Sequence, residues 1–240
     1  MNNSNYEVSL AMSSLDIQTD VAVATLVVAA AVLLLGLAGQ RRAATSVPTG
    51  IRLLWEMSVD AADRTAQPVP AHVRGRVVGT TVTLFWFVAV ANWLHLIPGS
   101  PLPAPTSDIN LTLALAVIAM GTVHLTALQV RGVRSYLRHY LRPWWLAPFK
   151  LLEEVIKPLT LSLRLFGMVF ASALMVVLIG EILPAPVALV PHVLWTLFDV
   201  FVGAIQAFIF ALLTLLYFLA VLPAPNEGQA APDSVGHESL

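Results

Sequence analysis

The sequence predicts an all-α integral membrane protein with about five membrane helices and one interfacial amphipathic helix. Of its 240 residues, 58% are hydrophobic and only 11% are charged, whereas a soluble domain usually carries about 25% charged residues. Five segments are apolar over the ~20 residues that a helix needs to cross ~30 Å of hydrocarbon. Cysteine is absent, which excludes disulfide and thiolate chemistry. We therefore expect one membrane domain, residues 1–240, with no soluble domain large enough to fold alone.

The first span is predicted over residues 21–39. It follows a polar outer N-terminal tail, residues 1–20. This tail contains no Lys or Arg, so it lacks the positively charged start of a signal peptide. Residues 48–66 place apolar and charged side chains on different helix faces, with two pairs of opposite charge at a spacing of four. The pairs are Arg52–Glu56 and Asp60–Arg64. This pattern is typical of an amphipathic helix that lies on the membrane surface.

The second and third spans are predicted over residues 77–97 and 109–130. The loop between them, residues 98–107, is rich in proline, which lacks a backbone donor and interrupts a helix. We therefore predict that this loop is not helical. Ser107 or Asp108 is suited to cap the third helix, because either side chain can accept a hydrogen bond from the first helical turn.

Basic residues mark the cytoplasmic side of the predicted topology. With one exception, every Lys and Arg lies within residues 41–76 or 131–157. The positive-inside rule then places the N-terminus outside and the tail over residues 223–240 in the cytoplasm. Aromatic residues are interleaved with the second basic stretch, as in some nucleic-acid-binding surfaces. Its position beside a membrane span favours a cytoplasmic loop with an interfacial aromatic belt, so no nucleic-acid partner is expected.

The last two apolar segments, residues 149–183 and 187–222, are too long for ordinary spans. A helix of about 35 residues extends ~52 Å, and a helix of that length tilts or protrudes to relieve the mismatch with the bilayer. Pro184-Ala185-Pro186 predicts a tight outer turn between them. The two segments are therefore predicted to form a long, tilted antiparallel hairpin over residues 149–222.

Arg164 is the exception to the distribution of basic residues, because it lies inside the first long helix. A guanidinium stays protonated, and its charge at membrane depth costs at least ~2.5–3.5 kcal/mol. Either the side chain snorkels to the interface, or it is a fixed charge facing a mobile anionic partner. On the second long helix, a spacing of seven places His192, Asp199 and Gln206 on one face. Because an ionisable residue inside a membrane helix indicates a functional site, Asp199 is a candidate functional group, or alternatively a structural ion-pair partner of Arg164.

Other candidate groups lie near helix ends. They are Asp108, Asn110, Glu153 and Glu181. Helix capping alone can explain Asp108 and Asn110. These two residues can also line an aqueous entry. The position of Glu181 favours a role at an outer pore mouth. His124 is expected to pack or hydrogen-bond between helices. Because the sequence shows no metal cluster, nucleotide-binding loop or nucleophile–base arrangement, we expect no metal, no cofactor and no catalysis by this chain alone.

Two segments resemble subunit a of the F-type ATP synthase membrane sector. They are KPLTLSLRLFGMVF at residues 157–170 and FDVFVGAIQAFIFALLTLLY at residues 198–217. The combination of RLFG and IQAFIF at this separation is highly specific, and the second segment is most similar to actinobacterial members. Supporting matches are PTGIRLLWE, ANWLHLIPG, SDIN and LLEE. The resemblance covers nearly the whole chain after the first span.

The resemblance implies that Arg164 faces the carboxylates of a rotating c-ring and that Gln206 packs beside it. It implies two half-channels, one leading from the outside to the ring and one leading from the ring to the cytoplasm. The outer path would pass Asp108, Asn110, His192 and Asp199, and Glu153 and Glu154 would lie toward the cytoplasmic path. The implied partners are the c-ring, the b subunits of the peripheral stalk, other ATP synthase subunits and membrane lipid, in a bacterial plasma membrane.

The chain departs from this family at two positions. Met168 stands where members usually carry Asn, and Ala173 stands where many carry an acid or His. These departures leave open a divergent copy that is coupled to Na⁺ or that works as an ATP-driven pump. The alternative from another class is a secondary transporter or a stand-alone channel, against which the lack of two similar halves counts. A purely structural membrane protein is the third interpretation, and the intramembrane polar residues argue against it.

Overall fold

The computed structural model describes residues 3–40, 50–94, 105–134, 136 and 147–222. These residues form the helices α1 (Asn3–Gln40), α2 (Ile51–Thr65), α3 (Ala71–Leu94), α4 (Ile109–Arg131), α5 (Ala147–Ile182) and α6 (Ala185–Val221). Within the described residues there is no strand, and α1 and α3–α6 each contain a stretch long and apolar enough to cross a membrane. The prediction of an all-α, multi-pass membrane protein is confirmed.

The first helix begins earlier than the sequence pattern suggested. α1 starts at Asn3, so the segment expected to be a polar tail continues the helix of the first span. Residues 3–20 contain neither Gly nor Pro, and nothing in them interrupts helical backbone hydrogen bonding. Polarity excludes these residues from a membrane span, but it does not prevent them from being helical.

Proline and one carboxylate determine several helix ends. Asp108 caps α4, because its Oδ1 accepts a hydrogen bond from the backbone N of Asn110 at 2.7 Å. Pro184 precedes α6 and a second proline lies in the first turn, where the missing N–H of proline has no partner to lose. Part of the loop that was predicted to be non-helical forms a 3₁₀ turn, Pro105–Ser107. Proline is compatible with this turn because it occupies the first position.

The two long helices are held mainly by earlier spans. α3 and α6 make the most extensive helix–helix contact, followed by α4 with α5. α5 and α6 touch each other over a smaller area, although only Leu183 and Pro184 connect them. The buried apolar side chains of this arrangement include Val77 and Phe218 in one cluster and Leu165 and Phe210 in the other. The two long helices are therefore held by different neighbours, since α6 packs mainly on α3 and α5 packs mainly on α4.

Aromatic contacts fasten the amphipathic helix α2 to its neighbours. Trp55 stacks on Trp86 of α3 with 6.3 Å between ring centroids, and Trp86 Nε1 donates a hydrogen bond to Ser58 Oγ at 3.1 Å. Gly39 of α1 makes room for Trp55, because a Cβ at residue 39 would lie 2.7 Å from the indole Cδ1. The two predicted ion pairs of α2 are present, each with an N···O distance of 2.7 Å.

Candidate functional site

Arg164 lies on the open side of α5, about 25 Å along the helix from its first residue. Its side chain is exposed, and it forms no hydrogen bond or ion pair with any other residue that the structure describes. The exposed residues beside it include Thr160, Leu163 and Gly167. A permanent positive charge is thus presented on an apolar surface that carries small side chains.

Two contacts define the register between α5 and α6. Ser172 lies against Asp199, and one turn earlier on α5 Met168 lies against Gly203. Because the helices are antiparallel, each turn toward the start of α5 matches one turn toward the end of α6. The next turn brings Arg164 level with the residues around Gln206. This register places Arg164 and Gln206 at the same height. Arg164 and Asp199 do not form the alternative structural ion pair.

Asp199 is a buried carboxyl group, with only 4% of its surface exposed. The hydroxyl of Ser172, equally buried, donates a hydrogen bond to Asp199 Oδ2 at 2.5 Å. Ser172 had not been singled out from the sequence, because a serine in an apolar helix shows no role until the facing helix is known.

Gln206 is also buried, with 7% of its surface exposed. Its amide Nε2 has no hydrogen-bond partner among the described residues. A buried amide donor without a partner costs free energy, so Gln206 is suited to a polar contact that the described residues do not supply. The register places Gln206 at the height of Arg164.

Met168 and Gly203 form a close contact where the family resemblance would suggest a polar group. A Cβ on Gly203 would lie 3.5 Å from the terminal methyl group of Met168 and 3.4 Å from Cβ of Asn92. These are ordinary van der Waals distances, so α3, α5 and α6 meet at this point without requiring a glycine. Asn92 Nδ2 donates to the carbonyl of Gly203 at 3.5 Å, and Trp93 Nε1 donates to the carbonyl of Val200 at 3.1 Å. These bonds anchor α6 to α3 beside Asp199.

Buried hydroxyl groups link the helices around Arg164. Ser162 Oγ donates to Thr112 Oγ1 at 3.1 Å and so joins α5 to α4. Thr106 Oγ1 donates to Asn92 Oδ1 at 3.1 Å and so joins the 3₁₀ turn to α3. All four side chains are buried. Sequence reasoning did not identify Ser162, Thr106 or Thr112, because single hydroxyls are common in membrane helices and carry no spacing signal.

A second polar cluster surrounds Glu154 near the start of α5. Lys157 Nζ donates to Glu154 Oε1 at 2.8 Å, and His124 Nε2 lies 3.2 Å from Glu154 Oε2. The other ring nitrogen of His124 lies 2.7 Å from the hydroxyl of Tyr136. The prediction that His124 is bonded between helices is confirmed. Glu154 is therefore held between α4 and α5.

Lys157 connects this cluster to the surface and to α6. Its Nζ lies 3.1 Å from Glu153 Oε1 and 5.5 Å from the ring centroid of Tyr217. The Glu153 side chain is 66% exposed, against 14% for Glu154. The two adjacent carboxylates thus differ sharply in their access to the surroundings. Tyr217 was not singled out from the sequence.

The remaining candidates are not gathered around Asp199. His192 is exposed on α6, and Glu181 is exposed in the last turn of α5. Asp108 is engaged in its cap, and Asn110 is exposed beside it. The basic and aromatic loop lies largely outside the described residues, as does His95. In the described part of the chain, no group of three or more His, Asp and Glu side chains is arranged to hold a metal ion.

Comparison of the sequence with known proteins identifies relatives of this chain. Residues 22–219 match the family model described as ATP synthase A chain. ATP synthase subunit a of Acidothermus cellulolyticus is 41% identical over 210 residues, which cover 85% of this chain and 77% of that protein. The subunit a of Mycobacterium leprae is 36% identical over 216 residues, covering 84% of this chain and 86% of that protein. The subunit a of Mycobacterium tuberculosis is 35% identical over 227 residues, covering 88% and 90%.

Proposed function

The chain belongs to the ATP synthase A chain family, and we propose that it is the non-catalytic stator subunit that guides protons to a rotating c-ring. It is a multi-pass, proton-translocating subunit of the F-type ATP synthase membrane sector, and other ATP synthase subunits are its partners. The proposal adds two half-channels, contacts with the c-ring and the peripheral-stalk b subunits, and a plasma-membrane orientation with the N-terminus outside. It also assigns H⁺ as the ion.

The exposure of Arg164 carries this proposal. The guanidinium is always protonated, and it stands on an apolar face without an ion-pair partner in the described part of the chain. A charge in this setting requires a compensating anion or a path to water. Ring carboxylates arriving one after another would supply that anion. The small exposed residues Thr160 and Gly167 would allow a partner helix to approach closely.

Asp199 is the proposed last proton carrier of the outer half-channel. Its carboxyl group is buried at the height of the residues that follow Arg164, where it can pass a proton to a ring site. The outer path would lead to it past Asp108, Asn110 and His192, with Glu181 at the rim. Once protonated, the ring carboxyl group is neutral, and the desolvation cost that opposes its movement through lipid is removed.

Glu154 and Glu153 are the proposed exit groups on the cytoplasmic side. The partly buried Glu154 and the exposed Glu153 are bridged by Lys157, so they form a continuous polar connection from between the helices to the surface. A ring site that completes its rotation would release its proton along this connection. Arg164 then keeps the ring carboxylate ionised and repels protons that would leak directly between the paths. Each charge moving through 100 mV releases ~2.3 kcal/mol.

Disulfide cross-linking in membranes tests the position of the ring. The chain has no cysteine, so Gly167→Cys introduces a single thiol one turn from Arg164. A side chain fits there, because a Cβ at residue 167 has no neighbour within 4 Å. We expect this variant to cross-link, on oxidation, to a c subunit carrying a cysteine next to its carboxylate.

Gly79→Cys is the matched control for this experiment. Gly79 is exposed on α3 and is equally free of neighbours within 4 Å. We expect no cross-link to the ring from this position. A ring cross-link from residue 79 and none from residue 167 would contradict the proposed interface, whatever the activity of the membranes.

A further inference from the structure

The polar cluster at the start of α5 contains two titratable side chains that the proposed proton path does not use, His124 and Tyr136. Glu154 Oε2 lies 3.2 Å from His124 Nε2, and the opposite ring nitrogen, Nδ1, lies 2.7 Å from the Tyr136 hydroxyl. Both distances are within the ~2.6–3.2 Å at which one group can pass a proton to another. The imidazole therefore has a carboxyl group at one end and a hydroxyl group at the other.

This row of three groups begins between the helices and ends near exposed residues. The side chains of Glu154 and His124 are 14% and 27% exposed, and Tyr136 is half-buried. Residues 132–134, just before Tyr136, are exposed. They follow the end of α4, which lies on the cytoplasmic side in the proposed orientation. The row of groups thus leads from the contact between α4 and α5 toward the cytoplasmic surface.

Lys157, the other neighbour of Glu154, cannot accept its proton. The ammonium group joins Glu154 to Glu153 with N···O distances of 2.8 and 3.1 Å, but it has three donors and no acceptor. It orients the two carboxylates, and a proton that arrives at Glu154 needs a different acceptor. A neutral imidazole supplies one, because one of its ring nitrogens donates while the other accepts. Histidine is for this reason a frequent proton shuttle.

We propose that His124 and Tyr136 carry protons between Glu154 and the cytoplasm, an inference that rests on the proposed function and extends its cytoplasmic half-channel. In the tautomer with its N–H at Nδ1, the ring accepts a proton at Nε2 as the O–H bond of the Glu154 carboxyl group breaks. The Nδ1 proton passes to the phenol oxygen of Tyr136, and the phenol releases its own proton to water. One proton has then moved from Glu154 to water, and proton exchange with water restores the first tautomer.

A purely structural role for His124 would have a different signature. A side chain that only joins α4 to α5 needs hydrogen-bonding groups at its two ends, and a side chain that does not titrate can supply them. A relay needs a group that both accepts and releases a proton. Glutamine has a donor and an acceptor but does not titrate, so His124→Gln separates the two roles.

ATP synthesis by the intact complex in proteoliposomes tests the proposal. A K⁺ diffusion potential with valinomycin drives synthesis, the cytoplasmic side of the complex faces the medium, and rates are expressed per assembled complex. We expect His124→Gln to lower the rate at least about tenfold. Tyr136→Phe, which removes only the hydroxyl group, should cause a loss of similar size. Imidazole in the medium should raise the rate of His124→Ala at least about threefold, because it replaces the missing ring.

His72→Gln is the matched control, because His72 is an exposed histidine in the first turn of α3 and lies outside this row of groups. This variant should synthesise ATP at the wild-type rate, and an equal loss in it would overturn the proposal. A wild-type rate in His124→Gln or in Tyr136→Phe would also overturn it, as would a rate of His124→Ala that imidazole does not raise. If His124→Gln does not assemble, Tyr136→Phe decides.

The same assay separates failure of the relay from failure of the proposed function. Arg164→Ala should abolish synthesis if the proposed function is correct. Loss of synthesis in Arg164→Ala together with wild-type rates in His124→Gln and Tyr136→Phe would overturn the relay alone. Wild-type synthesis in Arg164→Ala would overturn the proposed function, and the relay with it.

Discussion

Two cations lie two helical turns apart on α5 and have opposite surroundings. Lys157 is bonded to Glu154 at 2.8 Å and to Glu153 at 3.1 Å, and it lies over the ring of Tyr217. Arg164 has neither an ion pair nor a hydrogen bond within the described part of the chain. Within the described residues of the same helix, the charge of Lys157 is compensated by carboxylates and the charge of Arg164 is not.

The difference separates a structural charge from one that serves a partner. Glu153 and Glu154 satisfy Lys157, so its role can be explained without another subunit. The charge of Arg164 cannot be removed by deprotonation, so it needs a compensating anion or a path to water beyond the contacts of the described residues. We propose a partner's anion rather than snorkelling, because Arg164 lies about 25 Å from the start of α5. An uncompensated charge in a membrane helix indicates a functional site.

Replacing Arg164 should have the largest effect and gives the sharpest test of this contrast. We expect Arg164→Ala to abolish ATP-coupled proton transport in membrane vesicles, because no other fixed charge separates the two proposed half-channels. Arg64→Ala is the matched control and should retain coupling, since it removes an exposed cation of α2 that is compensated by Asp60 and lies outside the proposed proton path. Wild-type coupling in Arg164→Ala would refute the central role of this residue.

Replacing Asp199 should have the next largest effect. Asp199→Asn keeps the size of the side chain but removes the proton-carrying group, and we expect proton flux from the outer side to fall at least about tenfold. Ser172→Ala should cause a smaller loss, because it removes one hydrogen bond but leaves the carboxyl group. Flux is measured with a pH-sensitive dye in vesicles of defined orientation. Unchanged flux in Asp199→Asn would leave the carboxyl group with a structural role only.

Substitutions of Glu154 and Glu153 should have different effects on stability, although the two residues are adjacent. Glu154→Gln removes the anion shared by Lys157 and His124 and should destabilise the subunit by about 1–3 kcal/mol. Glu153→Gln alters an exposed ion pair and should cost about 0–1 kcal/mol. Thermal unfolding of the purified complex, followed through loss of this subunit, measures both. Equal changes in unfolding temperature for the two variants would mean that burial does not determine how much each carboxylate contributes to stability.

Met168→Asn should have the smallest effect. Met168 is half-buried against Gly203, and Asn is shorter and can hydrogen-bond, so we expect assembly to be retained and proton flux to change less than about twofold, under ~0.4 kcal/mol. Native gel electrophoresis and the same dye assay check this expectation. Collapse of assembly would show that the contact between Met168 and Gly203 is essential for packing α5 on α6.

Several features of the fold follow directly from the sequence. Apolar length predicts the spans, and the spacing of four predicts the ion pairs of α2. Asp108 was predicted as a possible cap because capping depends on residues that are adjacent in the chain. The helical start at Asn3 was not predicted, because polar residues interrupt the apolar pattern of a membrane span without interrupting a helix.

The polar contacts between helices could not be obtained in the same way. Ser172 with Asp199, Ser162 with Thr112 and His124 with Glu154 each join residues that are at least 27 positions apart in the chain. Each contact depends on the register and rotation of two helices, and helical periodicity within one segment contains neither quantity. The roles proposed for His192, Glu181, Asp108 and Asn110 stay predictions for the same reason.

The sequence by itself determined that this is a multi-pass α-helical membrane protein, and its motifs RLFG and IQAFIF indicated its family. Both conclusions depend on local composition and local motifs, which are complete within a single helix. Only the tertiary structure decided that Lys157 is compensated, that Arg164 is exposed, and that Asp199 is buried against Ser172. Compensation and burial are properties of a side chain together with its neighbours, and helix packing decides which neighbours it has.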